Sequence, residues 1–239
     1  MNRFAGLALS LLSLSAPLPS HADPIATDVN IVTGLDISDS VTAAEMKLEI
    51  GGMAAAIRSP EVMRAIKNGY HGRVGFAVFA WHHNAFPELV EWTIISSESG
   101  AQAVAAKLEA RLAVDVEVEG RKAAVFYIGR MTDLSQAVDH AAELLAASPF
   151  AAERSVLNIV GNGKDNVGDR ASVARDRIVV AGTTVNGVVV GNNADVLDYF
   201  RSEVIGGPGA FVIPVLDRTD IAEAMKRKFV NDVIASAGP

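Results

Sequence analysis

The stretch "VNIVTGLDISDS", residues 29–40, decides how the rest of the chain is read. Its first half is a continuous apolar run, the pattern of a strand buried on both faces of a sheet. Its second half packs Asp36, Ser38, Asp39 and Ser40 into five residues. Just beyond, Thr42 and Glu45 stand in the T-x-x-E spacing of a capping box. They open a helix through "TAAEMKLEIGGMAAAIRS". The order is therefore strand, polar loop, helix. Side-chain oxygen concentrated at a strand end has four uses: capping a helix, forming a turn, holding a metal, or attacking a substrate.

Outward from this unit, strands and helices alternate. "PEVMRAIKN" reads as a helix with Pro60 in its first turn and Gly69 beyond its end. "RVGFAVFAW" is a strand, "ELVEWTII" a short strand beside it, and "SGAQAVAAKLEARLA" a helix. The region from Val114 to Met131 gives no clear reading. "TDLSQAVDHAAELLAAS" is a helix closed by Pro149, and "RSVLNIVG" a buried strand. "DNVGDRASVARDRIVVAG" reads as a helix ending at Gly182, "TTVNGVVVG" as a strand and "ADVLDYFRSEVI" as a helix. "GAFVIPVLD" is a strand placed toward an edge by Pro214, and "DIAEAMKRKFVNDVIAS" closes the chain as a helix. This alternation predicts one α/β domain of three layers, with a mostly parallel central sheet and helices on both faces.

Composition narrows the partners. The chain has 239 residues, half of them hydrophobic, enough for one sizeable core. A net charge of −7 argues against nucleic acid and anionic membranes, which require clustered Lys and Arg. The densest basic run, Lys226–Lys228, reads as a solvated helix face. Residues 1–22 read as a signal peptide: Arg3, an apolar stretch from Phe4 to Ala16, then Ser20 and Ala22 as small residues before a cut. The expected mature domain is 23–239, with no further spanning segment. The absence of Cys means no disulfides, which points to a bacterial periplasmic or secreted protein.

In a sheet of this type, ligands bind at the carboxyl ends of the strands. Three polar loops compete for that role: "DISDS", "RMTDLS" and "GNGKDN". Asp36, Ser38 and Ser40 fall at i, i+2 and i+4, a spacing that brings alternate side chains onto one point. Thr132 would add a hydroxyl from a second loop, although it could equally cap the helix that follows. Oxygen ligands with one or two carboxylates suit Mg2+, or Mn2+ or Ca2+.

These residues resemble the von Willebrand factor type A (vWA) family and its metal-ion-dependent adhesion site. Asp36, Ser38 and Ser40 match its Asp-x-Ser-x-Ser motif, and Thr132 its separate Thr. The likeness extends through "LDISDSVTAAEMKLEIGGMAAAIRSPEVMRAI", "VIGGPGAFV" and "AEAMKRKFVNDVIA", and is to an uncharacterised bacterial secreted branch. It implies a vWA/Rossmann-like sheet with one antiparallel edge strand. It also implies metal-assisted binding of a protein partner, whose acidic side chain completes the coordination shell. One departure stands out. The family's Asp after its fourth strand is here Asn162, which offers a carbonyl oxygen but no charge. Asp39 and Asp165 are the candidate auxiliary acids. The expectation is weak metal binding or a site that no longer binds metal.

Other chemistries find less support. Adjacent His82 and His83 on a strand point to opposite faces, and H-E-x-x-H is absent. Lys164 is followed by Asp165, so "GNGKDN" is not a phosphate loop. No G-x-S-x-G elbow is present. Trp81 and Trp92 read as packing residues. The expected function is non-catalytic protein binding. The alternatives are a metal-free structural or assembly module and a hydrolase whose site is not evident.

Overall fold

The computed structural model describes residues 23–38, 40–112, 115–118, 121–124 and 131–235. The segment read as a signal peptide, Asp39 and most of the region from Val114 to Met131 lie outside the described residues. The long apolar runs are the inner strands. Asn30–Asp36 (β2) and Val74–Trp81 (β3) are buried at every position. Ser155–Gly161 (β8) and Thr183–Val190 (β9) are nearly so. With Glu88–Ile95 (β4) and Val212–Val215 (β10) they form a six-stranded sheet in the order β10-β9-β8-β2-β3-β4. All neighbours are parallel except β3 and β4, so β4 is the antiparallel edge. Pro214 sits on the opposite edge, where a missing N–H is tolerated.

The order explains where a site can form. The chain runs outward from β2 through β3 and β4, then returns to place β8 on the other flank of β2. Loops leaving β2 and β8 therefore diverge at a topological switch point and leave a crevice between them. Two apolar layers flank the sheet. One packs Ala43–Ile57 (α1), Pro60–Lys67 (α2), Glu98–Arg111 (α3) and Ile221–Ile234 (α7) on residues such as Ile31, Leu35, Phe76 and Val78. The other packs Leu134–Ala146 (α4), Ala171–Val180 (α5) and Ala194–Tyr199 (α6) on Val32, Phe79, Trp81, Leu157 and Ile159.

Local chemistry sets the boundaries. Thr42 and Glu45 close the expected capping box on α1, and Ser59 caps α2 with Pro60 at its start. Trp81 is fully buried, and Trp92 donates its indole N–H to the Leu144 carbonyl at 3.1 Å, so both are packing residues. Asp115–Val118 (β5) and Arg121–Ala124 (β6) pair as an antiparallel hairpin.

One element was not anticipated and three expectations are corrected. Ile25–Thr27 (β1) and Phe150–Ala152 (β7) form a small parallel pair, too short for any periodicity to announce. The helix expected from Asp165 begins only at Ala171, because Gly168 adopts φ +86°, a left-handed conformation that a right-handed helix does not contain. The helix from Ala194 loosens into a π-turn over Phe200–Val204. Finally, Lys228 is not on a solvated face. It is buried and bonded to Asp232, one turn along α7, with its ammonium 4.7 Å from the Phe211 ring centre. Asn158 and Asn186 donate side-chain N–H groups to the same carboxylate at 2.8 and 3.2 Å, which makes the burial tolerable.

Candidate metal centre

The carboxyl ends of β2, β3 and β8 are knitted together. The Ile37 N–H donates to the Trp81 carbonyl at 3.0 Å, extending the β2–β3 register past Asp36. The His83 N–H donates to the Met131 carbonyl at 3.1 Å, which brings the segment before α4 onto the same edge.

Asp36 ends β2 with its side chain only 1% exposed. Its Oδ1 accepts the Ser38 N–H at 2.8 Å, the local turn that serine-rich strand ends favour. Its Oδ2 is buried with no hydrogen-bond partner among the described residues. That oxygen faces Gly161, whose missing Cβ would lie 3.4 Å away. Burial pushes the Asp36 carboxyl up to about 6, against the opposing pull chiefly of the Ser38 N–H that its Oδ1 accepts.

The serines lead outward from Asp36. The Ser38 and Ser40 hydroxyls lie 3.0 Å apart. The Ser40 hydroxyl donates to the Asn162 Oδ1 at 2.7 Å, and the Asn162 side-chain N–H donates back to the Ser40 carbonyl at 3.2 Å. Asp36, Ser38, Ser40 and Asn162 thus form one bonded cluster spanning the β2 and β8 loops.

Thr132 and Asp165 lie in a second, adjoining cluster. The Thr132 N–H donates to the Asn166 Oδ1 at 2.8 Å, and the Asn166 N–H returns to the Thr132 carbonyl at 3.1 Å. The cap of α4 is Asp133, which accepts from the Gln136 N–H at 3.0 Å and relieves Thr132 of that role. Asp165 accepts the Leu134 N–H and, at 2.8 Å, the Tyr199 hydroxyl. Both of its oxygens serve the α4 entry and α6. Burial pushes its carboxyl up to about 6, and the Asp133 charge adds to that.

Several residues matter that sequence reasoning passed over. Gly161 leaves room for the Asp36 carboxylate. Gly168 makes room for Asp133, since a Cβ there would overlap that carboxylate. Asn166 ties the β8 loop to Thr132. Glu49, on α1, is 4% exposed with an unpartnered Oε2. Its signal was legible: an acid set among Met46, Ile50 and Met53 on an apolar stripe.

The donor set fits a hard cation. Every group in the first cluster is oxygen or amide, the second adds the His83 Nδ1 at 3.4 Å from the Asp133 Oδ2, and one carboxylate oxygen, the Asp36 Oδ2, is buried without a hydrogen bond, which calls for an explanation such as an ion. Among the described residues, no group of three or more His, Cys, Asp or Glu is placed to hold a metal, so any site here has few charges.

Comparison with solved structures agrees with this architecture. The vWA protein from Catenulispora acidiphila superimposes with a TM-score of 0.56 at 13% identity, covering 87% of this chain and 43% of its own. Proximal thread matrix protein 1 from the mussel byssus, with a zinc-occupied MIDAS motif, gives 0.55 at 11% identity, covering 88% and 49%. The vWF domain of the type V pili tip protein Mfa5 from Porphyromonas gingivalis gives 0.61 at 10% identity, covering 88% and 97%. The chain spans about half the length of the first two proteins and nearly all of the third. At such identities the likeness establishes the fold. No curated protein matches the sequence. The family profile described as "Protein of unknown function (DUF1194)" spans residues 26–237, and on that match the chain belongs to the DUF1194 family, built on a vWA-like fold.

Proposed function

We propose that this protein is an exported, non-catalytic binding module that engages a protein partner through a divalent cation held at the β2–β8 switch point. The observation that carries this reading is the Asp36 Oδ2: buried, without a hydrogen bond, and linked by Ser38 and Ser40 to Asn162. Asp36 would supply charge, directly or through water. Ser38, Ser40 and Thr132 would supply neutral oxygens, and Asn162 a carbonyl oxygen. A bound cation would neutralise Asp36 and leave a position for an acidic group of the partner. Mg2+ is the first choice, with Mn2+ or Ca2+ as substitutes. The zinc in a related fold supports a divalent ion at this type of site without naming the ion here.

Two features favour binding over catalysis. The hydroxyls that donate to carboxylates, Tyr199 to Asp165 and Ser135 to Asp133, do so within the bonding that orders the α4 entry. The polar groups that could act are committed to one another or to the α4 entry. The test is calorimetric titration of residues 23–239 with Mg2+, Mn2+ and Ca2+. Heat of binding and a thermal shift at millimolar ion are expected. Silence with all three ions removes the metal-assisted reading and leaves a metal-free assembly module. A hydrolase panel covers the third reading: activity lost on Asp36→Ala would restore it.

A further inference from the structure

The segment that enters α4 is fastened on both sides of β2. On one flank, just past β3, the His83 N–H donates to the Met131 carbonyl at 3.1 Å. On the other, beyond β8, the Thr132 N–H donates to the Asn166 Oδ1 at 2.8 Å, and the Asn166 N–H donates to the Thr132 carbonyl at 3.1 Å. β3 and β8 are the two neighbours of β2, each about 5 Å from it. Met131 and Thr132, bonded to the loops of both, therefore cross the carboxyl end of β2, where Asp36 stands.

The crossing lies on the face that Asp36 uses. Val32, Gly34 and Asp36 share one face of β2, and Val32 packs in the layer of α4, α5 and α6. The Asp36 Oδ2 and the Phe200 ring of that layer lie 3.4 and 3.5 Å from the position of a Cβ on Gly161. Thr132, 6% exposed, leads into α4, the helix of that same layer. The two fasteners differ in kind. At His83 backbone meets backbone, a bond that does not depend on the side chain. At Asn166 the side-chain carbonyl accepts, so half of that grip depends on residue identity. Asn166 also stands four residues beyond Asn162, which is bonded to Ser40. One short loop thus holds the Ser40 side of the cluster at one end and Thr132 at the other.

We propose that Asn166 is a positioning residue of the cation site: it holds Thr132 across the end of β2, so that the Thr132 hydroxyl joins Asp36, Ser38 and Ser40 around the ion. Asn166 acts through Thr132 rather than on the ion, and the proposal rests on the metal-assisted reading above.

The test is a double-mutant cycle on residues 23–239: wild type, Asn166→Ala, Thr132→Val and the two combined, with Asn166→Asp alongside. Mn2+ affinity is measured by calorimetry and melting temperature in chelator. Asn166→Ala is expected to weaken Mn2+ binding about tenfold, the usual loss for a residue that orients a ligand. Asn166→Asp keeps the acceptor for the Thr132 N–H and should bind at least as tightly as wild type. In the Thr132→Val background, Asn166→Ala should change affinity less than about twofold, because the hydroxyl it positions is gone. A merely structural side chain would weaken binding by the same factor in both backgrounds. Should Asn166→Ala not fold, amide exchange in wild type decides: bound Mn2+ should slow exchange in the peptide carrying Thr132. Unchanged affinity in folded Asn166→Ala, an equal loss in both backgrounds, or exchange indifferent to the bound ion overturns this proposal alone. Absence of Mn2+ binding by wild type overturns it together with the reading on which it rests.

Discussion

Replacing Asn162 by Asp restores the acid that the vWA motif carries, and its effect should change sign with the ion. Without metal the change is unfavourable. It removes the amide N–H that donates to the Ser40 carbonyl at 3.2 Å, a loss of about 1 kcal/mol. It also sets a carboxylate near buried Asp36. At a separation of about 6 Å and an effective dielectric near 20, two ionised acids repel by about 3 kcal/mol, part of which proton uptake relieves. A net loss of about 2–3 kcal/mol should lower the melting temperature by about 5–10 °C in a domain of this size. With metal the same pair of charges attracts the ion, and affinity should rise by about 10–100-fold, or about 1.4–2.7 kcal/mol. At saturating ion that gain offsets most of the deficit. The assay is differential scanning fluorimetry of wild type and Asn162→Asp in chelator and in millimolar Mg2+ or Mn2+, with calorimetric affinities alongside. A melting gap that is the same in both conditions, or an unchanged affinity, would mean that Asn162 does not face the ion.

Two further outcomes follow from the buried acids and the loop glycines. Burial holds Asp36 up at about 6 from 3.8 and Glu49 up at about 8 from 4.5. Raised carboxyls stabilise the fold fully below their unfolded values, and that contribution is lost as pH rises through the folded ones. Metal-free protein should therefore lose stability between about pH 4 and 8 in urea titrations, Asp36 accounting for about 3 kcal/mol of it between about pH 4 and 6; a flat profile would refute the burial of these acids. Gly168→Ala should cost about 2–4 kcal/mol, because φ is +86° and a Cβ would strike the Asp133 carboxylate that caps α4. Gly163→Ala, with open space around it, should melt within a degree or two of wild type, and equal melting of the two variants would contradict the loop geometry.

The fold was legible because its informative segments are long. β3 is an uninterrupted apolar run and β2 a largely apolar one, and the Thr42–Glu45 and Pro60 signals mark helix starts that the structure contains. Local propensity could not announce β1 and β7, which are three residues each and exist only through pairing. The late start of α5 was hidden because "DNVGD" is compatible with a helix until Gly168 takes a left-handed turn. Lys228 misled for a different reason: the Lys-Arg-Lys run looked solvated, whereas the partner that makes its burial possible, Asp232, lies one turn further on.

The candidate site was legible in part. The sequence brought together Asp36, Ser38, Ser40 and Asn162, and these are the four that share hydrogen bonds. It set Thr132 with these four and Asp165 as an auxiliary acid, whereas the structure ties Thr132 to Asn166 in the adjoining cluster; whether a Thr caps or ligates depends on which neighbour takes the cap. Asp133 takes it. Asp165 turns out to be a fastener between the β8 loop, α4 and α6. Long-range pairings of this kind leave no spacing in the chain.

The polar seam beneath α7 has a consequence for how the helix finds its seat. Its apolar residues Ile221, Met225, Phe229 and Val233 recur at every fourth position, so a slide of one turn would exchange one hydrophobic side chain for another at little cost. Asp232 removes that degeneracy. Its carboxylate meets Lys228, Asn158 and Asn186 at one axial position, and displacement by a turn would strand all of them in the core. The helix thus carries a single address. Because Ile221 at its start abuts Gly52 of α1, that address also fixes where α1 stands, and with it the loop that α1 follows.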